Sequence, residues 1–339
     1  MHNKTYSFLI FICLLSIAEP CAATEESSNA EALFSRARQL ETIWTDGTPP
    51  MVMHADIQVS DAKGSLVNGE YTVNWVSRSQ WREEIRFSNY ERLRVRDANG
   101  YWQKSGLSYQ PEAILQLDKL LVLKRVLAVG SKQTLGNVKK REKQGAQQEC
   151  VEVKWPQRTD RMMCFDESSG VLVSIEYPKP ERHNSPQISR IEYGAFKAIN
   201  GKLLPYERRA LKDQKVIAVV KILEIKEASQ ENPALFEPPA NAEYWRECDD
   251  IQAAEVVNRV TPGYPTDARA NHEMGTVVFY AVVETDGSLS HITVIHRVPI
   301  ALESAALAAV RQWRYKPAAC GGAPIRAETF IDIDFWLEN

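Results

Sequence analysis

The chain has 339 residues, of which 44% are hydrophobic and 25% charged, and a formal net charge of −3. That is ordinary globular material, long enough for two cores, and so balanced a charge without a recognition motif argues against nucleic acid as a partner. Gly-x-Ser-x-Gly, the zinc-protease helix, a phosphate loop and a convincing carboxylate pair are all missing, so no enzyme, no metal and no cofactor is expected.

Met1 to Ala23 reads as a secretory signal: Lys4 and the free amine supply the charge, Phe8 to Ala18 the apolar run, and Cys21-Ala22-Ala23 a small-residue cleavage site. A retained anchor is the rival, but the run is about half of the ~20 residues a spanning helix needs, and Glu19-Pro20 interrupts it. A periplasmic location follows. Four cysteines then remain, Cys150, Cys164, Cys248 and Cys320, an even set for an oxidising compartment. Cys150 and Cys164 lie symmetrically about Gln157 in two strand-like runs and would face each other across a hairpin, which leaves Cys248 with Cys320.

From Asn29 to Trp44, Leu33, Ala37, Leu40 and Trp44 fall on one helical face, and Gly47-Thr48-Pro49-Pro50 ends the helix. Five short strands follow between Met51 and Lys104, then a helix after Pro111, then about six strands between Gln148 and Ile225. Tyr71, Val73 and Trp75 share one face of their strand, and Trp81, Ile85 and Phe87 one face of the next. Arg92, Arg94 and Arg96 share a face too. They would meet a phosphate or lipid headgroup, or else form a solvated ladder of mixed charge with Arg82, Glu84 and Arg86.

Gly69-Glu70-Tyr71 leading to Trp75, Trp81-Arg82, the Asp97 to Trp102 turn and strand, the helix after Pro111 and the closing Asn232 to Pro239 segment together resemble the lipoprotein carrier LolA and its relatives. The resemblance implies an unclosed barrel, a strongly curved antiparallel sheet with helices, whose concave side holds lipid or acyl chains. A filled interior is the other possibility for such a sheet. Two prolines at Pro238-Pro239 mark a boundary, giving a signal at 1–23, a curved-sheet domain at 24–243 and a second domain at 244–339. The whole is α+β.

In the second domain Val277, Phe279, Ala281 and Val283 point one way, and Thr276, Val278, Tyr280 and Glu284 the other, so one face is core. Asp286-Gly287 turns the chain into a second strand, Leu289 to His296. His291 and His296, five apart, point to opposite faces of it and share no metal. Leu302, Ala306, Ala309, Val310 and Trp313 lay a helix across the sheet. Along Ala327 to Leu337, Thr329, Ile331, Ile333, Phe335 and Leu337 share one side, and Phe330, Asp332, Asp334 and Trp336 the other.

Tyr264-Pro265, Gly275-Thr276-Val277, Asp286-Gly287, Ala305-Ala306-Leu307, Trp313-Arg314-Tyr315-Lys316-Pro317, Gly322, Pro324 and Phe335 form a frame that resembles the C-terminal domain of TonB. It implies a three-stranded antiparallel sheet packed on a helix, in which Trp313, Tyr315 and Pro317 mark the fold, with Trp313 as a core plug worth about 2 to 3 kcal/mol. It also implies that the last strand accepts an extended peptide, such as that of an outer-membrane TonB-dependent transporter. Phe330, Asp332, Asp334 and Trp336 would line that edge. Tyr264 and Pro265 either shape the segment beside the groove or pack. The two aspartates either favour a basic peptide or deter edge-to-edge aggregation. The long proline-rich spacer and front helix of an energy-transducing TonB are not expected here.

Overall fold

The computed structural model describes residues 23–41, 47–61, 64–105, 112–121, 133–154, 160–177, 188–228, 232–246, 248, 251–296 and 298–337. The expected signal segment lies outside them, apart from Ala23.

Helix α1 (Ala23–Glu41) precedes strands β1 (Met51–Ser60), β2 (Leu66–Ser77), β3 (Gln80–Phe87), β4 (Tyr90–Arg96) and β5 (Gly100–Ser105). After α2 (Glu112–Leu121) come β6 (Thr134–Leu135), β7 (Lys139–Lys143), β8 (Ala146–Lys154), β9 (Arg161–Asp166), β10 (Leu172–Glu176), β11 (Arg190–Ile199), β12 (Lys202–Lys212) and β13 (Lys215–Glu227). A 3-10 turn (Pro233–Phe236) leads to β14 (Glu243–Arg246). All belong to one antiparallel sheet ordered β14-β5-β4-β3-β2-β1-β13-β12-β11-β10-β9-β8-β6, with β7 also on β8. The path is open at both ends. Register shifts at His54/Ala55, Trp75/Ser77 and Ala210/Leu211 add the local twist that curves such a sheet.

Residues alternate along these strands because one face is packed: Met51, Met53, Ala55, Ile57 and Val59 are all buried in β1. Helices α1 and α2 cover that face. In α1 the buried stripe is Ala30, Phe34, Ala37 and Glu41; of the expected stripe Ala37 is buried, Leu33 and Leu40 are half-buried, and Trp44 lies outside the described residues. The helix is turned by its partners: Phe34 meets Phe165 edge-on at 5.1 Å, and Glu41 Oε1 accepts the Leu172 amide at 2.6 Å.

The expected ladder of Arg92, Arg94 and Arg96 with Arg82, Glu84 and Arg86 does not form. The two-residue turn after β3 pairs Phe87 with Tyr90, which fixes parity so that Arg94 stands opposite Glu83, and Arg92 opposite Ile85. Arg82, Glu84 and Arg86 make their own ion pairs at 2.6 Å on the opposite face. Arg92 is fully buried on the packed face, donating to Asp118 of α2 at 2.6 and 2.7 Å and to Glu83 at 3.2 Å. Tyr71 donates to the same Glu83 at 3.2 Å. Burial would push the Asp118 carboxyl up, but Arg92 and Arg94 outweigh it and hold it below the usual range. A lowered folded pKa contributes stability that is complete above the unfolded value near 3.8 and is lost as pH falls through the folded one. The urea midpoint should therefore fall steadily below about pH 4, and Asp118→Asn should flatten that decline.

The chain continues through β15 (Ile251–Gln252), β16 (Glu255–Asn258), α3 (Thr266–Ala270), β17 (Gly275–Val283), β18 (Leu289–His296), α4 (Ile300–Val310), β19 (Arg314–Lys316), β20 (Ala318–Cys320), β21 (Ala323–Ile325) and β22 (Ala327–Phe335). The main sheet here is β18-β17-β22, and α4 packs on it through Leu302, Ala306 and Val310. Two disulfides are present: Cys150–Cys164 between paired positions of β8 and β9, and Cys248–Cys320 between the segment after β14 and the end of β20.

The β17–β18 turn needs its glycine. Gly287 has φ +81, its carbonyl accepts the Tyr315 amide at 2.9 Å, and a Cβ there would lie 1.9 Å from the Tyr315 carbonyl oxygen. Gly287→Ala is expected to cost about 1–2 kcal/mol from the left-handed backbone alone, with the overlap adding to it. A thermal melt unchanged from that of the unmodified chain would contradict the geometry.

Candidate peptide-docking edge

Strand β22 pairs with β17 over nine positions, from Gly275 opposite Phe335 to Val283 opposite Ala327. With β18 on the other side of β17, β22 is the edge of its sheet, and among the described residues no strand pairs with its outer side. The alternation splits its side chains. Ile331, Ile333 and Phe335 are buried in the cluster that contains α4 and Trp313, whereas Phe330 is 55% and Trp336 60% exposed. Asp332 and Asp334 are exposed between them. Phe330 rests edge-on against Tyr280 at 6.0 Å, and Asp334 accepts a hydrogen bond from the Thr276 hydroxyl across the ladder. Phe330, Asp332 and Asp334 thus form one row of β22, and Trp336 stands one residue past its end.

Tyr264 and Pro265 stand elsewhere. The Tyr264 ring meets Phe335 edge-on at 5.5 Å from the core side, and its hydroxyl donates to the Glu273 carbonyl. Pro265 caps α3, fixed at φ −61. These two residues pack the segment entering β17 and back the inner face of β22. Trp313 is buried, donates its indole N–H to the Val260 carbonyl at 2.9 Å and carries Arg259 on its ring at 4.7 Å. Tyr315 is buried in β19, and Pro317 separates β19 from β20.

One expectation fails on the other face of β17. Val278, Tyr280 and Val282 are as buried as the core side, and Tyr280 and Val282 are covered by the N-terminal unit. Trp245 of β14 joins Tyr280 and Val282 in one cluster, against which Tyr101, Leu115 and Ile295 pack. Two stacked aromatic rings are then flanked by cations: Arg94 lies over Tyr101 at 5.0 Å, Tyr101 stacks on Trp245 at 6.5 Å, and Arg326 lies over Trp245 at 4.8 Å. Arg326 also donates to Glu243 and Glu284, both at 3.0 Å. Burial pushes the Tyr280 hydroxyl up, and its neighbour Glu328 pushes it further, so it stays neutral and donates to Glu328 at 3.0 Å. The signal in the sequence is the unbroken apolar run from Val277 to Val283, which marks a strand buried on both faces.

Residues 260–337 match the family model described as the Gram-negative bacterial TonB protein C-terminal. The match spans the frame from Tyr264 to Phe335, so the matched segment runs from just before α3 to just past β22. A search of curated proteins found no match. Among solved structures, a LolA superfamily protein from Nitrosomonas europaea is similar at 11% identity and a TM-score of 0.40, covering 61% of this chain and 97% of that one. A putative outer membrane lipoprotein-sorting protein domain from Vibrio parahaemolyticus is similar at 11% identity and a TM-score of 0.40, covering 63% and 97%. A DUF1329 family protein from Desulfovibrio piger reaches a TM-score of 0.45 at 10% identity, covering 62% and 97%.

Proposed function

We propose that this chain is an exported protein of the bacterial envelope whose β22 edge captures an extended segment of another envelope protein by strand addition, in support of transmembrane transport. An outer-membrane TonB-dependent transporter is the foremost candidate partner. The observation that carries the reading is that, among the described residues, β22 is paired on one side alone, with two large aromatic side chains left exposed, Phe330 on its outer row and Trp336 just past its end. An unpaired strand edge offers backbone amides and carbonyls that a peptide satisfies, while alternate side chains give specificity. The carrier alternative asks for room on the concave face of the large sheet, where the apolar side chains of β1 are packed in one cluster with Phe34 of α1 and Leu117 of α2.

The test is a photo-crosslinking amino acid placed at position 330 or 336 of the full chain in cells. It is expected to trap one envelope protein through a short extended segment, and Phe330→Ala with Trp336→Ala should weaken the binding of that segment more than tenfold. Cross-links to no protein, or an unchanged Kd in the double variant, would remove the support.

A further inference from the structure

The bridge between Cys150 and Cys164 lies away from the core. Val151 and Val153 of β8 and Met163 and Phe165 of β9 belong to the core cluster, so the two cysteines, which stand directly opposite each other, present their sulfurs on the other face. Polar groups from two further strands gather there. Arg141 of β7 donates from Nη2 to Cys164 Sγ at 3.0 Å and to Glu176 Oε1 at 2.9 Å, while its Nε is buried and meets no acceptor. Ser174 of β10, the partner of Cys164 in the ladder, is 2% exposed, and its hydroxyl has no hydrogen-bond partner among the described residues. Two buried, unsatisfied donors on the side of one sulfur are costly in the bridged state, because a disulfide sulfur is a weak acceptor. A thiolate at Cys164 is a strong one and would satisfy them.

We infer that Cys150–Cys164 is a thiol–disulfide exchange site, opened by the thiolate of a dithiol, with Cys150 as the sulfur attacked and Cys164 as the leaving sulfur. The side of attack follows from the ladder. Displacement runs in line with the S–S bond, which crosses from β8 to β9, so a nucleophile reaches Cys150 from the β7 side and Cys164 from the β10 side. Ser174 and the Arg141–Glu176 pair close the second route. The first ends at Lys139, the exposed partner of Cys150, and among the described residues no strand pairs with the outer side of β7. The Lys139 ammonium draws a thiolate in, while Glu152, the next residue of β8 on that face, is turned to Lys154 at 3.9 Å. Cys150 is 3% and Cys164 0% exposed, so access requires the Arg141 side chain, itself 36% exposed, to swing aside. The incoming thiolate bonds to Cys150 Sγ, the S–S bond breaks, and its electron pair stays on Cys164 beside Arg141 and Ser174. The second thiol of the reductant then gives up its proton, attacks its own sulfur in the mixed disulfide and expels Cys150, which takes up that proton. Two electrons thus pass to the bridge, and the dithiol leaves as a disulfide. Because β8 and β9 pair over six positions, the opened chain keeps its fold.

The experiment equilibrates the full chain with mixtures of reduced and oxidised dithiothreitol at neutral pH, quenches with acid, alkylates, and assigns the open cysteines by peptide mass spectrometry. Cys150–Cys164 is expected to open at a reduced-to-oxidised ratio roughly tenfold or more below that needed for Cys248–Cys320, with the far-ultraviolet circular dichroism unchanged. Arg141→Gln with Ser174→Ala should move that ratio up by about tenfold, and in the opened chain should raise by about one unit the pH at which Cys164 reaches half its maximal alkylation rate. The sign matters: a variant that merely loosened the packing would open the bridge more readily, and its alkylation profile would not move. In the unmodified chain, brief treatment with reduced glutathione and acid trapping should leave the mixed disulfide on Cys150. Glutathione found on Cys164 would overturn the assigned direction of attack and with it the proposal. An unchanged ratio in the double variant, or a bridge that opens only as the chain unfolds, would make Cys150–Cys164 a purely structural bond.

Discussion

Arg92→Met is expected to lower the free energy of unfolding by about 3–5 kcal/mol, the range for stranding one partner of a buried ion pair. Arg92 has no exposed side-chain surface and is held by Asp118 and Glu83. Methionine matches its stem but leaves two carboxylates beneath α2 with less positive charge. Arg94 remains within 3.3 Å of Glu83 and 3.6 Å of Asp118, which places the cost toward the lower end. Adding Glu83→Gln and Asp118→Asn should recover part of the loss, because the uncompensated charge rather than the missing contact is the main penalty. Urea unfolding of the single and triple variants separates the two. A single variant within about 1 kcal/mol of the unmodified chain would show that α2 is seated by its apolar face alone.

Replacing Cys248 and Cys320 together by serine should cost about 4 kcal/mol, since that bridge closes a loop with a sequence separation of 72. The Cys150–Cys164 bridge, with a separation of 14, should cost about 3 kcal/mol by the same chain-entropy argument. The comparison is more informative than either value, because β8 and β9 stay paired over six positions without their bridge. The segment after β14 is held to β20 over two positions, Ile251 with Cys320 and Gln252 with Ala319. If the shorter loop proves the costlier to open, then strain or unfolded-state structure governs these bridges, and loop entropy does not.

Much of this was legible in the order of residues. Period-2 alternation placed β17 and β22 and assigned their inner rows, helical spacing from Leu302 to Val310 placed α4, and the symmetry of Cys150 and Cys164 gave their pairing. What escaped depended on distant partners. Glu243-Tyr244-Trp245-Arg246 is too short for periodicity to show, and it becomes a strand only because β5 offers an edge. The face of α1 was decided by Phe165 and Leu172, far away in sequence. The burial of Arg92 followed from turn parity, which shifts every side chain of β4 to the other face when it changes by one. Of the candidate edge, the row itself could be read in advance; the covering of Tyr280 and Val282 by the N-terminal unit could not, because the covering residues Trp245, Tyr101 and Leu115 are scattered over three elements.

The stack of Arg94, Tyr101, Trp245 and Arg326 has a mechanical consequence. Tension applied along β22 enters β17 through nine aligned positions loaded in shear, crosses the stack, and spreads into the large sheet through β14 and β5. The Cys248–Cys320 bond runs parallel to that route as a covalent tether, so a tug sustained at the edge strains rigid, hydrogen-bonded ribbon before it reaches any single linker.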